Sequence, residues 1–543
     1  MTLPWTATVA AGKAGCILIA AYVLYKDLSR ADIHRIGPPH EKDFGGIFWA
    51  HLLHHHMMIV TEPTMVTQAL DRQLYPEFID KPSLYNIINQ GTSDPPCLSL
   101  VTSSSGDAHY KLVRKGVSHA FAPNNVRSAS ETSIAVATRL ADTLAAHGAA
   151  EALDMDAVLQ TAAFDVIGIF GFSKDFQATR DLDGEGAQAC KCLSEGMLIA
   201  IQRQLQPSHS IPFSKASTHF WSTREKLLGI FRNLMSEALS RGEPAADDQS
   251  ISAYLQRIRA QDGSPLPRLR FWSESSIMFF AGVETTGHTL GFILLYISQH
   301  PEVEAKIVRE LQELGVCPSR EGAAPRALTP ADLSKLSYLQ CVIKETQRLM
   351  PVIPLVLRYA VKDVKIGNTL VPRNTLLLPH FLAMHTSHRY WERPLDFIPE
   401  RWLDPDCEYT RPIDPSSSYV PTGPADLFAG DKKPVCAGAS PKLDINANGT
   451  HSSTPTNGHD PFMYKGHRVR RYQPFASGSR NCVGMPQAMV TMQATLATLL
   501  SRFSFRLADQ MGTLEDVHKA EMYHITFSIK GGLWMHCEPR SAA

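Results

Sequence analysis

The chain has 543 residues with 53 basic and 53 acidic side chains, so its formal net charge is zero; no global basic excess points to nucleic acid as a partner. The hydrophobic share of 44% is that of an ordinary globular protein with a large core. Ten scattered cysteines do not make a disulfide scaffold in a chain this long, and no two have the Cys-x-x-Cys spacing of a structural zinc site.

In chain order, the first apolar stretch is residues 6–25, interrupted by Lys13. About 20 residues of that character reach across a hydrocarbon core as a helix. Positive charge follows at Lys26, Arg30 and Arg35 and none precedes, which by the positive-inside rule keeps the rest of the chain cytosolic. No small-residue cleavage site follows, so an anchor is expected rather than a cleaved signal peptide. Residues 1–36 read as anchor and hinge, and 37–543 as one catalytic body. Gly37-Pro38-Pro39 stiffens the junction, because proline fixes φ.

An apolar run at 57–60 has strand character and ends at Glu62-Pro63. His51, His54, His55 and His56 lie beside it without a companion cysteine or acidic pair, which favours a surface or membrane-proximal cluster over a metal site. From 106 to 280 the pattern is mostly helical, with Ala and Leu at helical spacing in 133–146 and 231–239. Helices are predicted over 271–300, stopped by Pro301, and over 331–350, stopped by Pro351. Extended sequence follows at 355–366 and 369–378. Segment 405–466 is rich in Pro, Ser, Gly, Asn, Thr and Asp and poor in large apolar residues, so it reads as a flexible insertion. The expected class is mainly α with small β-sheets.

The densest local signal is residues 474–484, PFASGSRNCVG. A thiolate ligand must be deprotonated, and a nearby cation and backbone donors favour that form. Arg480 stands two positions before Cys482, and Gly478 and Gly484 let the backbone pass close to a flat group. An apolar helix is expected over 489–500, its N-terminal dipole toward the sulfur. The segment resembles the FxxGxRxCxG haem-binding signature of the cytochrome P-450 superfamily and matches every defined position. A lone cysteine is otherwise a buried, inert one, but that reading leaves the surrounding pattern without a cause.

Three more stretches occur in the family's order. Glu345-Thr346-Gln347-Arg348 resembles its ExxR, and a spacing of three puts both side chains on one helical face. Pro399-Glu400-Arg401-Trp402 resembles its PERF/PERW element. By that resemblance Glu345, Arg348 and Arg401 form a buried network that locks the cysteine loop. Residues 281–286, AGVETT, resemble the oxygen-activation segment. There Ala281 and Gly282 remove bulk so that the helix can approach the iron's ligand, and threonine hydroxyls bond back to a preceding carbonyl. The resemblance implies that Thr285 hydrogen-bonds the oxygen being activated and that Glu284 relays protons from solvent. Tyr110 and Arg114 resemble the third-helix WxxxR element, with Tyr110 replacing the usual Trp or His, and Arg358 resembles the arginine of PxxxR. Arg114, Arg358 and Arg480 are implied propionate ligands; Tyr110, Ala281, Phe475 and Gly484 complete the implied haem contacts. The stretch between Pro39 and residue 57 is short for the family, which predicts a truncated first helix and strand.

The resemblance covers nearly the whole chain. It implies the cytochrome P-450 fold and haem b (iron protoporphyrin IX) with Cys482 as axial ligand to the metal. It further implies insertion of one oxygen atom of O2 into an apolar small molecule such as a lipid, sterol or terpenoid. Electrons would come from NADPH through a separate NADPH-cytochrome P-450 reductase, with cytochrome b5 as a further donor, at the endoplasmic reticulum membrane. The basic run Lys465, His467, Arg468, Arg470 and Arg471 is expected to help dock an acidic reductase. Substrate contacts are expected in loops at 81–102, 193–213 and 351–357. Two other readings stay open: rearrangement of a hydroperoxide or endoperoxide without O2, and a non-catalytic haem-binding sensor or lipid-binding protein. The intact Glu284–Thr285 pair argues against both.

Overall fold

The computed structural model describes residues 47–52, 55–75, 77–148, 151–205, 211, 214–318, 324–410 and 463–540. The expected anchor and hinge, His54 and residues 411–462 of the expected insertion lie outside the described residues.

A hairpin comes first. Strand β1 (Ile47–Leu52) pairs antiparallel with β2 (His55–Val60), setting Ile47 opposite Val60 and His51 opposite His56. The first strand is therefore present, although the sequence suggested it would be truncated. Helix α1 (Pro63–Ala69) follows, its open amides at Thr64 and Met65 capped by the Glu62 carboxylate, with Pro63 in the first turn. Next come β3 (Ile79–Asp80), α2 (Asn89–Thr92), α3 (Ala108–Ser118), α4 (Pro123–His147), β4 (Leu153–Asp154) and α5 (Met155–Phe172). Helices α6 (Glu185–Leu205), α7 (Lys215–Ser240) and α8 (Ile251–Arg257) lead to α9 (Arg268–Gln299), the longest of the described helices at 32 residues. Then follow α10 (Pro301–Glu313), α11 (Pro330–Leu333), α12 (Ser337–Leu349), β5 (Arg358–Ala360), β6 (Val364–Ile366), β7 (Thr369–Val371), β8 (Leu376–Pro379) and α13 (Phe381–His385). The last part holds β9 (Met463–Tyr464), β10 (His467–Arg468), α14 (Met485–Arg502), β11 (Phe503–Leu507), α15 (Leu514–Lys519), β12 (Glu521–Tyr523), β13 (Phe527–Ile529) and β14 (Trp534–Pro539). The architecture is mainly α with small sheets, as the sequence implied. Among them, β1-β2-β8-β5-β3 form one sheet, with β2 parallel to β8, and β11-β14-β4 form another.

Three expectations change. The helix expected over 331–350 is two, α11 and α12. Thr329 and Asp332 close a capping box on the first, while the Glu310 carboxylate takes the amides of Tyr338 and Leu339 at 2.7 and 3.1 Å and so starts the second afresh. Hydrophobic spacing does not register this break in the helix. The segment 193–213, expected as a loop, begins inside α6, which runs through Leu205. Both ends of the expected insertion belong to the folded body: Tyr409 bridges Arg470, and the Thr410 amide donates to the Val469 carbonyl at 2.8 Å.

Helix α9 runs through the core against α5. These are the two described helices long and apolar enough to cross a membrane, and both are mostly buried within the fold. Glycines set their approach. A Cβ at Gly287 would lie 2.5 Å from Gln160 Cγ and 2.9 Å from its Cα; at Gly282 it would lie 3.0 Å from Ile167 Cγ1. Gly282 thus makes room for α5, not only for a ligand on the other side of α9. A methyl at 287 meets backbone, which cannot swing aside, and overpacking of this kind costs about 1–3 kcal/mol. Urea unfolding of Gly287→Ala should show that loss; an unchanged midpoint would mean that the two helices do not pack this closely.

Candidate functional site

The Cys482 amide donates to the Phe475 carbonyl at 2.9 Å, closing the loop, and Gly484 stands at the N-cap of α14. Among the eight cysteines described, Cys482 alone is exposed. Desolvation by the surrounding protein pushes its thiol above the ordinary cysteine value, while the amides of Gly484 and Met485 and the Arg114 charge oppose that push. Arg114 is thus a cation acting on the sulfur, from a helix the sequence did not connect with it. Arg114 gives both terminal nitrogens to Asn481, one to its carbonyl at 2.9 Å and one to its side-chain oxygen. Tyr110 donates to the Ser479 carbonyl at 3.0 Å, and its ring lies 3.5 Å from the Arg480 guanidinium carbon. Both residues thus hold the cysteine loop itself. Gly478 has φ of 73°, and a Cβ there would sit 1.8 Å from the Leu70 carbonyl oxygen. Its role is a left-handed turn against the end of α1, where the sequence suggested clearance for a porphyrin. A Cβ at Gly484 would make ordinary contacts, 3.7 Å from Phe121 and 4.0 Å from the Cys482 sulfur.

A second feature is a knot of cations. Arg480 donates to the Ser103 carbonyl and the Ser105 hydroxyl, each at 2.9 Å, and stands 3.8 Å from Asp80. Buried Arg358 donates to the Leu357 carbonyl at 2.8 Å. Lys81 donates to the Val101 carbonyl and lies 4.4 Å over the Tyr85 ring. Burial, and then the Arg358 and Arg480 charges, hold the Lys81 ammonium well below its ordinary value, with Asp80 opposing. The Nε atoms of Arg358 and Arg480 and the Tyr75 hydroxyl are buried without a hydrogen-bond partner, and burial pushes Tyr75 up to about 12. Of these three side chains Arg480 has a carboxylate within ion-pair reach, and the buried donors left unmatched are costly unless anions complete them. This donor set fits a group that carries two carboxylates, as haem does, next to an exposed thiol for its metal. Lys81 and Tyr75 were not singled out in the sequence, because nothing local marks them.

Behind the loop lies the Glu345 carboxylate, 0% exposed. It accepts from Arg348 Nε and Nη2 at 2.9 and 2.8 Å, Arg401 Nε at 3.0 Å, Trp402 Nε1 at 2.9 Å and the Ile398 amide at 2.9 Å. Burial alone would raise this carboxyl; the Arg348 and Arg401 charges win and hold it below its ordinary value. Arg348 also donates to the His385 carbonyl at 2.8 Å, and His385 Nε2 accepts the Gln473 amide at 2.9 Å, at the entrance to the cysteine loop. Burial and the Arg348 charge push His385 down to about 3, so its ring stays neutral and keeps this acceptor.

On α9, the Thr285 hydroxyl donates to the Ala281 carbonyl at 2.8 Å, and the Thr289 hydroxyl to the Thr285 carbonyl at 2.6 Å. Glu284 is buried and pushed up to about 7, with the His288 charge opposing. The Thr526 hydroxyl reaches Glu284 at 3.4 Å. Val483, next to Cys482, packs on the same apolar cluster as Phe280 and Val283 of α9, so the fold brings the two motifs into one neighbourhood.

The family model for cytochrome P450 matches residues 22–423 and 459–528, most of the chain. The chain belongs to the cytochrome P450 family. Among curated relatives, Cytochrome P450 3A6 of Oryctolagus cuniculus is 29% identical over 238 residues, 44% of this chain and 35% of that protein. Cytochrome P450 71B38 of Arabidopsis thaliana is 26% identical over 300 residues, 54% of this chain and 47% of that protein. Probable cytochrome P450 4d21 of Drosophila melanogaster is 38% identical over 172 residues, 31% of this chain and 32% of that protein. The chain thus spans between about a third and a half of the length of these relatives.

In this cytochrome P450 the basic run before the cysteine loop is not the free patch the sequence suggested. Arg471 is 4% exposed, donates to the carbonyls of Cys407 and Tyr390 and lies 4.1 Å from the Trp391 ring centre. It braces the fold and is withdrawn as a docking residue. Arg468 pairs with Asp406 at 2.8 Å, Arg470 with Glu408 at 3.7 Å, and Lys465 with Asp71. The clamp between 405–410 and 463–471 puts acids opposite Arg468 and Arg470. Among the described residues, no group of three or more His, Cys, Asp and Glu is placed to hold a metal ion.

Glu345→Gln should leave buried Arg348 and half-buried Arg401 without their counter-charge. Breaking a buried ion network this way costs about 3–5 kcal/mol, read as a lowered urea midpoint. An intact midpoint would mean that the network does not support the loop.

Proposed function

We propose that this chain is a haem-thiolate monooxygenase that inserts one atom of O2 into an apolar small molecule. Electrons would come from NADPH through a separate reductase. The observation that carries this reading is the exposed Cys482 thiol beside a buried cation cluster short of anions. Cys482 would ligate the iron of haem b, and Arg358, Arg480 and Lys81 would receive its two carboxylates. Arg114 and Tyr110 would keep the loop in place through Asn481 and Ser479. When bound, haem supplies O2 activation, and a thiolate ligand favours O–O cleavage. The protein's own work is proton supply and placement. Thr285 holds a hydroxyl proton on the Ala281 carbonyl, and Glu284 exchanges a proton near neutral pH, the range where general acid catalysis is most effective. The Tyr85 hydroxyl accepts the Leu357 amide at 3.1 Å. That bond ties 81–102 to 351–357, two segments expected to contact substrate. A lipid, sterol or terpenoid suits their apolar content. Residues 6–25 would anchor the body at the cytosolic face of the endoplasmic reticulum membrane. Exposed Arg470 remains a contact for an acidic reductase or for cytochrome b5.

Turnover with NADPH, reductase and isotopically labelled O2 should place one labelled atom in the product. Turnover with a hydroperoxide alone, and none with NADPH and reductase, would overturn this reading in favour of rearrangement. In the same assay Thr285→Ala should divert electrons from product to peroxide, with coupling reduced on the order of tenfold or more; tightly coupled turnover would remove Thr285 from the role.

A further inference from the structure

A cavity of about 700 Å³ lies between α5, α6, α9 and the β12–β13 hairpin. Glu284 and His288, one turn apart on α9, both line it. His288 is buried, and its Nδ1 lies 2.8 Å from Asp156 Oδ1 at the start of α5. The other Asp156 oxygen accepts Gln160 Nε2 at 3.1 Å, and Gln160 Oε1 accepts the Ser194 hydroxyl of α6 at 2.6 Å. Exposed Asp183 and Lys191 stand at the rim, so the cavity reaches the surface.

We propose that Asp156 and His288 form a positioning dyad that returns protons from this cavity to Glu284 during turnover. The proposal rests on the monooxygenase reading. Asp156 fixes Nδ1 as the donor nitrogen, which leaves Nε2 to exchange its proton. A proton passes from Nε2 of the imidazolium through solvent in the cavity to the Glu284 carboxylate, and solvent from the rim returns one to Nε2. Glu284 passes its proton on, so both groups end as they began and no electrons move. A merely structural pair between α5 and α9 would lower stability when cut, with no effect on proton supply.

The surroundings favour exchange near neutral pH. Toward Glu284, α5 presents Asp156, with Asp154 just ahead of it; α6 presents Cys190, with Lys191 and Glu195 farther along; the β12–β13 turn presents His524. Burial raises Glu284, His288 lowers it and Asp156 raises it. Burial lowers His288, but Asp156 overcomes that and holds it above the ordinary histidine value. His288→Gln removes the one cation lowering Glu284, so the Glu284 carboxyl must titrate at higher pH. Asp156→Asn keeps a hydrogen-bond acceptor for Nδ1 but removes the charge that raises His288, so the imidazolium is lost at lower pH.

The test reads the carboxyl directly. Infrared difference spectra of the haem-loaded protein, with the band assigned by Glu284→Gln, should show wild-type Glu284 titrating near neutral pH and His288→Gln titrating higher. Product formation in His288→Gln should fall on the order of tenfold or more, with a larger solvent deuterium isotope effect. In Asp156→Asn the alkaline limb of the pH–rate profile should move to lower pH. Unmoved infrared midpoints and pH profiles in folded variants with intact haem-thiolate spectra would overturn the dyad and leave the monooxygenase reading standing. Loss of that spectrum in the wild-type protein would sink the monooxygenase reading instead.

Discussion

A buried carboxylate, Glu345, is the point from which the candidate haem site is held. Five hydrogen bonds converge on it, from Arg348, Arg401, Trp402 and the Ile398 amide. Through Arg348 the same network holds the His385 carbonyl, and the neutral His385 ring holds the Gln473 amide. Nine residues later the chain reaches Cys482. A buried ion network is a poor source of net stability compared with apolar packing. Its value here is geometric: the cysteine loop is fixed from behind, through backbone, while Cys482 itself remains exposed.

Around that support the charges are segregated. On one side, Lys81, Arg358 and Arg480 crowd together with Asp80 as the carboxylate facing them, which suits carboxylates arriving on a ligand. Elsewhere, Asp156, Glu284 and Asp154 act together on His288. In the proposed reading, cations at one place would fix the cofactor and titrating acids at another would supply protons. Gly287 and Gly291 let α5 and α9 approach closely enough for Asp156 to reach His288.

Local features were legible in the sequence. The cysteine loop, the Glu345–Arg348 pair and the course of α9 depend on spacing within a dozen residues, and spacing is what a sequence displays. Features that depend on distant contacts were not. Gly478 looked like clearance for a cofactor, yet its constraint comes from Leu70. Arg471 looked like part of a surface patch, yet Tyr390, Trp391 and Cys407 enclose it. The break between α11 and α12 is made by Glu310 from another helix. Lys81 joins Arg358 and Arg480, and Asp156 joins His288, only because the fold closes over long stretches of chain. No periodicity carries that information.

The proposed activity depends on a bond between the Cys482 sulfur, as an anion, and haem iron. The most direct measurement is the absorption spectrum of the haem-loaded, reduced protein under carbon monoxide. An anionic sulfur ligand shifts the Soret band strongly to the red, and the account predicts that shift in the wild-type protein and its absence in Cys482→Ala. A folded, haem-containing wild-type protein without the shift, or a Cys482→Ala variant that retains it, would contradict the account.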